Sequence, residues 1–134
     1  YSKEDFAKKV LELTNGKGVS VVYDGVGKTT YDKSIECLKL RGTMVSFGNA
    51  SGPLDPIIVS KSLQPKGIYF VRPAMNQYFT NSEEIQEAAN MLFKQISSGN
   101  VKIEIFKKYK LEEAIQAHKD LEGRKITGPA VIIP

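Results

Sequence analysis

The sequence contains no tryptophan, one cysteine (Cys37) and one histidine (His118). A single cysteine excludes a disulfide bond within the chain. One cysteine and one histidine also supply too few sulfur and nitrogen ligands for a zinc site. We therefore expect a protein without a metal centre that works in a reducing, cytoplasmic compartment.

Long hydrophobic runs are also missing. No uncharged apolar stretch approaches the roughly 18 residues that a membrane-spanning helix needs, and the first five residues do not resemble a secretory leader. Hydrophobic residues make up 41% and charged residues 25% of the 134 positions, which is typical of a folded domain. The composition predicts one soluble domain, or one piece of a larger protein, with no membrane partner.

The excess of positive charge is small. Lysine and arginine number 19 against 15 acidic residues, a net charge of +4, and the basic residues are scattered between acidic ones instead of forming a basic stripe. This pattern favours nucleic-acid binding only weakly and is typical of an ordinary solvated surface.

Helices and strands are predicted to alternate in the first 73 residues. Ser2 can cap a first helix whose apolar residues are Phe6, Val10 and Leu13, and Asn15-Gly16 supplies its stop. The spacing of apolar residues and turn formers further indicates strand 19–23, helix 30–40 ended by Arg41-Gly42, strand 43–47, a helical turn at 56–63 and strand 67–71. Each connection between strands is long enough for a crossover helix, so we expect parallel strands with right-handed crossovers. The predicted fold class is α/β, with a doubly wound parallel sheet.

The pattern changes after Pro73. Asn81 and Ser82 can cap a long helix with one apolar stripe, followed by a strand at 101–106, a helix at 111–121 and a closing strand at 130–133.

A glycine-rich turn for a dinucleotide is absent from this order. Such a sheet normally opens with a strand and a turn whose N–H groups receive the pyrophosphate, whereas this sequence opens with a helix. Gly25-Val26-Gly27 follows a strand, but the third glycine of the motif would fall at Thr30. The outer edge of strand 19–23 is also left without a neighbour. We infer that the sequence is the C-terminal part of a longer protein.

Three segments resemble a known family. They are residues 22–27 (VYDGVG), 38–52 (LKLRGTMVSFGNASG) and 64–73 (QPKGIYFVRP), and they resemble the zeta-crystallin-like quinone oxidoreductases, zinc-free members of the medium-chain dehydrogenase/reductase superfamily. Residues 117–124 with Thr127 and Gly128 resemble the end of that family, so the resemblance covers essentially the whole chain. It implies that residues 1–73 are the second half of an NADPH-binding Rossmann-like domain and that residues 74–134 return to the catalytic domain.

The resemblance also implies a set of cofactor-binding residues, namely Tyr1, Val26, Phe47, Gly48, Asn49, Ala50, Val71, Arg72 and Arg124. In the family pattern Tyr1 and Arg124 face the phosphate-bearing side and Val26 the adenosine side. Residues 47–50 run beside the nicotinamide and its ribose, and the backbone of 71–72 faces the carboxamide. Spacing alone allows Gly48 and Gly52 merely to permit a turn. Without the resemblance, Arg124 reads as an exposed arginine in a polar loop and Arg72 as a surface ion pair.

Other chemically active side chains receive simpler interpretations. Cys37 is expected to be an inert core thiol, and His118 a partly buried histidine with no catalytic role. No catalytic residue is expected in this segment, because the cofactor supplies the chemistry. The basic run Lys107, Lys108 and Lys110 is typical of a solvated loop, although the resemblance also allows it to contact RNA.

The implied function is transfer of hydride or single electrons from NADPH to a quinone or another conjugated carbonyl, with enone or enoyl thioester reduction as a sibling activity. This segment alone is expected to be inactive. The alternative is a non-catalytic nucleotide- or RNA-binding protein on the same fold. Strand 67–71 is an apolar outer edge without charge or proline, which predicts a homodimer through that strand.

Overall fold

A computed structural model describes residues 4–134 and divides the chain between Tyr78 and Phe79 into two compact units. The helices and strands of the first unit are α1 (Phe6–Leu13), β1 (Val19–Asp24), α2 (Tyr31–Glu36), β2 (Leu38–Ser46), α3 (Val59–Ser62), a 3₁₀ turn (Gln64–Lys66), β3 (Tyr69–Val71) and α4 (Met75–Tyr78). Those of the second unit are α5 (Ser82–Ser97), β4 (Lys107–Lys110), a 3₁₀ turn (Leu111–Glu113), α6 (Ala114–Glu122) and β5 (Ala130–Ile133).

The first unit is built on a three-stranded parallel sheet in the order β1-β2-β3. This arrangement confirms the predicted α/β class with parallel strands. The core lies around the central strand, where Leu38 and Met44 of β2 pack with Tyr31 of α2 and with Ile68, which precedes β3. Each of these four side chains is buried because helix and loop residues cover the sheet on the same side.

Helix α1 begins and ends at residues that favour its termini. The predicted cap, Ser2, lies outside the described residues, and the helix begins later, at Phe6, where Asp5 caps it by accepting a hydrogen bond from the Lys8 N–H at 3.3 Å. The same carboxylate lies 3.0 Å from the Lys33 ammonium of α2, so it also joins the two helices. Asn15 and Gly16 follow the helix with φ of 51° and 77°, as the predicted stop requires.

Helix α2 is shorter than the predicted 30–40. It ends at Glu36, and Leu38 already belongs to β2, where it pairs with Val19. The cause lies far along the sequence: the Lys66 ammonium donates to three carbonyl oxygens at the end of the helix, those of Ile35 (3.3 Å), Glu36 (2.8 Å) and Leu38 (2.7 Å). A cation at a helix C-terminus satisfies carbonyl groups that the helix leaves without partners.

Arg41 and Gly42, predicted to end that helix, lie inside β2 instead. Arg41 has a positive φ of 59°, and the pairing of β1 with β2 shifts register between Val19 and Val21. The left-handed residue therefore marks an irregularity of the strand. Strand β3 is also shorter than predicted, because Gly67 adopts φ 60° and ends the preceding 3₁₀ turn.

The second unit contains the predicted long helix, and Asn81 caps it by accepting from the Glu84 N–H at 2.9 Å. The predicted strand 101–106 is wrong. Its alternating apolar residues find no partner strand among residues 4–134, and pairing starts only at Lys107, where β4 meets β5 in parallel. The basic run Lys107, Lys108 and Lys110 thus lies on a strand and not in a loop.

Two further features complete the fold. Cys37 is buried, as predicted, and burial raises the pKa of its thiol. No helix within residues 4–134 is long and apolar enough to span a membrane.

Candidate functional site

The carboxyl ends of β1, β2 and β3 lie along one edge of the sheet, which we call the carboxyl edge. It comprises Asp24, a first loop (residues 25–30), Ser46, a second loop (residues 47–52) and residues 71–72. Ligands of parallel α/β sheets bind outside the ends where the strands point. The structure therefore brings together the predicted residues of three separate sequence segments: Val26, Phe47, Gly48, Asn49, Ala50, Val71 and Arg72.

A buried carboxylate forms the base of this edge. Asp24 is 4% exposed. It accepts hydrogen bonds from the N–H groups of Val26 (2.8 Å) and Gly27 (2.9 Å) and from the hydroxyl groups of Thr30 (2.8 Å) and Ser34 (2.8 Å). One side chain thus fixes both the first loop and the start of α2.

These contacts determine the charge of Asp24. Burial alone would raise the pKa of its carboxyl, but the hydrogen bonds from Gly27, Ser34, Thr30 and Val26 outweigh burial and bring the pKa below its ordinary value of 3.8. The carboxylate is therefore ionised at neutral pH.

The second loop is bound to the first by a series of backbone hydrogen bonds. Its N–H groups donate to carbonyl oxygens as follows: Phe47 and Gly48 to Asp24 (3.0 and 3.3 Å), Ala50 to Gly25 (3.3 Å) and Ser51 to Val26 (2.7 Å). In the opposite direction, the Lys28 N–H donates to the Gly52 carbonyl at 3.3 Å. The two loops consequently form one connected layer.

Glycines allow this close approach. A Cβ atom at Gly48 would overlap with the backbone oxygen of Gly25 and lie 2.8 Å from the Gly25 Cα. Gly27 has φ 89°, and a Cβ there would stand 2.9 Å from the Gly52 oxygen. A Cβ atom at Gly25 would likewise lie 2.9 Å from the Phe47 ring. Glycine at 48 therefore does more than permit a turn: it allows two backbones to touch.

The hydrogen bonds also decide what the edge can offer a ligand. The N–H groups of Phe47, Gly48 and Ala50 already donate within the fold. The Asn49 side chain is exposed and has no hydrogen-bond partner among residues 4–134. The Phe47 ring is 54% exposed. The second loop can thus present an amide and an aromatic ring to a ligand, and few free N–H groups.

Arg72 lies at the end of β3. Its guanidinium donates to the Ser46 carbonyl at 2.6 Å, and it has no ion pair among residues 4–134. The predicted alternative of a surface ion pair is therefore wrong for the part of the chain described. Arg72 instead joins the ends of β2 and β3, beside the exposed Val71.

Two predicted residues do not belong to this group. Tyr1 lies outside the described residues. Arg124 belongs to the second unit, just after α6, with a positive φ of 55°. Its backbone N–H donates to the Leu121 carbonyl at 3.0 Å, so the backbone turns back on the helix.

The turn that carries Arg124 is anchored by Asp120. Hydrogen bonds from Tyr109 (2.9 Å), Gln116 (2.8 Å) and Lys107 (3.2 Å) lower the pKa of the Asp120 carboxyl to about 2. Its own carbonyl accepts from the Lys125 N–H at 2.9 Å. This buried carboxylate therefore joins β4, α6 and the residues that follow α6.

His118 does not match its prediction. It is exposed on α6, and not partly buried, because the stripe that it shares with Ile115 and Leu121 faces outward: these two apolar residues are 72% and 60% exposed.

Asp24 and Ser51 are site residues that were not predicted from the sequence. A signal for Asp24 was present: Thr30 and Ser34 are four residues apart, so their hydroxyl groups lie on one face of α2, toward the strand that ends at Asp24. No comparable signal identifies Ser51, because its partners depend on how the two loops pack.

Comparisons with known proteins agree over the whole chain. The family model described as zinc-binding dehydrogenase matches residues 1–132. The quinone oxidoreductase of Pseudomonas aeruginosa is 43% identical over all of this chain and 41% of its own length. The 2-haloacrylate reductase of a Burkholderia species is 44% identical, again over all of this chain and 40% of its own.

A solved structure matches equally well. The crystal structure of Escherichia coli quinone oxidoreductase complexed with NADPH superimposes with a TM-score of 0.89 at 42% identity, covering 100% of this chain and 42% of that chain. The chain thus spans about two fifths of the length of the relatives that it matches.

Replacing Asp24 by asparagine is expected to lower the free energy of unfolding by about 2–4 kcal/mol, because an amide NH₂ would face N–H and O–H donors. The lowered pKa means that the wild type holds its full advantage above about pH 5 and loses it as the pH falls through that pKa. Urea denaturation at pH 7 and at about pH 2, below the lowered pKa, measures both effects. The control is Asp55→Asn. The exposed Asp55 carboxylate pairs with Lys28 at 2.9 Å, and its removal should lower the free energy of unfolding by less than about 0.5 kcal/mol. Equal effects of the two substitutions would contradict the prediction.

Gly48→Ala is expected to destabilise the chain by about 1–3 kcal/mol, because the added methyl group forces the two loops apart. Ala50→Ser adds one atom to an exposed residue of the same loop and serves as the control. Thermal unfolding of both variants checks the difference. A Gly48→Ala melting temperature equal to that of Ala50→Ser would show that the loops can separate without cost.

Proposed function

The chain belongs to the zinc-binding dehydrogenase family, and from this premise we propose that it is the C-terminal part of an NADPH-dependent quinone oxidoreductase. The observation that carries the proposal is the match of the whole chain, carboxyl edge included, to quinone oxidoreductases at 42–43% identity. Within that protein, residues 1–73 are the second half of the Rossmann-like domain and residues 74–134 return to the catalytic domain.

The carboxyl edge fits the nicotinamide and ribose end of NADPH. A flat ring needs an apolar surface and close backbone approach, which the exposed Phe47 and the side-chain-free Gly48 offer. The Asn49 amide supplies a donor and an acceptor for ribose hydroxyl groups. Val26, Ala50, Val71 and the backbone of Arg72 complete the contact surface in this proposal.

The pyrophosphate does not fit this edge. Gly27 packs against the second loop, and the Thr30 hydroxyl donates to Asp24, so the first loop has no cradle for phosphate. The proposal places the glycine-rich turn in the part of the protein that precedes this sequence, and gives Tyr1 and Arg124 phosphate contacts.

The reduced nicotinamide, when bound, supplies the hydride or electrons that reach a quinone or another conjugated carbonyl. Residues of this chain bind and orient it, and none of them is proposed to transfer a proton. The similarity to a 2-haloacrylate reductase supports an activated alkene as a second class of acceptor.

The proposed enzyme is zinc-free and cytoplasmic. The zinc-free assignment follows from the resemblance; within residues 4–134 no group of three or more His, Cys, Asp and Glu side chains could hold a metal ion. The RNA-binding alternative is not proposed, since Lys107 is bonded to Asp120 and lies 4.4 Å from the centre of the Tyr109 ring.

Steady-state assays of the complete protein test the function. We expect NADPH oxidation with ortho- and para-quinones, and weaker activity with NADH. Calorimetry of this chain alone should show poor NADPH binding, because half of the crevice is missing. Binding in the micromolar range by the chain alone would contradict the proposed division, and absence of quinone-dependent NADPH oxidation by the complete protein would contradict the function.

Arg124→Ala in the complete protein is expected to raise the KM for NADPH by about tenfold or more while kcat changes little. A charge-assisted contact to phosphate contributes about 1.5–3 kcal/mol and acts equally on ground and transition states. Lys125→Ala, next in sequence, is the control. An unchanged KM for NADPH in Arg124→Ala would show that Arg124 does not contact the phosphate and is an ordinary surface arginine.

The proposed assembly is a homodimer in which strand 67–71 of two copies pairs antiparallel about a two-fold axis. The strand lies at the edge of the sheet, and its Tyr69 and Val71 side chains are 65% and 40% exposed. Such an unpaired apolar edge favours a partner strand.

Tyr69→Pro and Tyr69→Lys are both expected to weaken this dimer, the first by obstructing the ladder and the second by placing like charges near the two-fold axis. Tyr78→Lys is the matched control, because Tyr78 is also 65% exposed but lies outside the strand. Analytical ultracentrifugation of the complete protein measures the dissociation constant. A monomeric wild type, or folded Tyr69 variants that dimerise as well as the control, would rule out this interface.

A further inference from the structure

The Ser51 side chain joins the two loops of the carboxyl edge. Its hydroxyl donates to the Val26 carbonyl at 2.8 Å and accepts from the Thr29 N–H at 3.0 Å. The residue is half-buried. One hydroxyl group therefore holds two points of the first loop, three residues apart.

This link differs from the others between the loops. Within residues 4–134, Ser51 is the only residue of the second loop whose side chain hydrogen-bonds to the first loop. The remaining hydrogen bonds join backbone groups and would survive most substitutions. Ser51 is thus the position at which a side chain sets how firmly the loops are held together.

We propose that Ser51 is a positioning residue for NADPH, which rests on the function proposed above. It acts through Val26, whose carbonyl it holds, and through Asn49 and Ala50, which precede it in the same loop. Fixing these groups before the cofactor arrives reduces the ordering cost of binding. The hydroxyl itself has both a donor and an acceptor partner in the fold, so it serves the loops and not the ligand.

The expected consequence of removing the hydroxyl is specific. The Ser51 N–H still bonds to the Val26 carbonyl at 2.7 Å, so the loops stay in contact and the chain stays folded. The Thr29 N–H loses its partner, and the first loop gains freedom. Weaker NADPH binding with an unchanged rate for the bound cofactor should follow.

The test uses the complete protein with Ser51→Ala, the rescue variant Ser51→Thr and the control Ser98→Ala. Ser98 also donates its hydroxyl to a backbone carbonyl, that of Gln95 at 3.1 Å, but lies in the second unit. Steady-state kinetics give KM and kcat, fluorescence titration gives the Kd for NADPH, and thermal unfolding gives Tm. Ser51→Ala should raise KM and Kd about two- to tenfold with kcat within about twofold, whereas Ser51→Thr and Ser98→Ala should match the wild type.

Each other outcome overturns the proposal. Unchanged KM and Kd in Ser51→Ala, an equal rise in Ser51→Thr, or a loss of kcat alone would show that the hydroxyl does not position the cofactor. A Ser51→Ala protein unfolded at the assay temperature would assign Ser51 to general stability. A wild type that neither binds nor oxidises NADPH would overturn the proposed function as well. A wild type that does both, with an unchanged Ser51→Ala variant, would overturn only the proposal for Ser51.

Discussion

The carboxylate of Asp24 is the constraint on which the candidate site depends. A buried charge without partners costs several kcal/mol, so the chain around it must supply donors. It does so by turning the N–H groups of Val26 and Gly27 inward and by directing the hydroxyl groups of Thr30, which precedes α2, and of Ser34 in α2 toward the strand. The first loop obtains its shape in this way, and the second loop then binds to the carbonyl groups that this shape exposes.

Much of the first unit could be predicted from sequence because its signals are local. Apolar β-branched runs and turn residues identified β1 and β3 and the parallel alternation with helices. The errors arose where a residue distant in sequence determines where an element ends. Lys66 ends α2 from a position 28 to 31 residues away, and no local pattern reveals that contact. The alternation at 101–106 resembled a strand, but a strand also needs a neighbour to pair with.

The candidate site also has features that local sequence signals predict and features that depend on contacts between distant segments. Strand order alone predicted that the ends of β1, β2 and β3 meet, because parallel strands all point to one edge. Residue types alone could not show that Arg72 binds the Ser46 carbonyl or that Gly48 touches Gly25, since both depend on the packing of two loops. The roles of Asn49, Ala50 and Arg124 toward a cofactor remain predictions of the resemblance; for Asn49, the exposed side-chain amide is consistent with that role.

The use of backbone N–H groups explains which part of a dinucleotide this edge suits. A pyrophosphate turn keeps its N–H groups free and aims them at the ligand. Here those of Val26 and Gly27 bind the Asp24 carboxylate, and those of residues 47, 48, 50 and 51 bind carbonyl groups of the facing segment. An edge built in this way is rigid without a ligand but attracts anions poorly. The proposed function therefore assigns an uncharged ring and sugar to this edge, and assigns the phosphates to the Arg124 guanidinium and to a glycine-rich turn earlier in the protein.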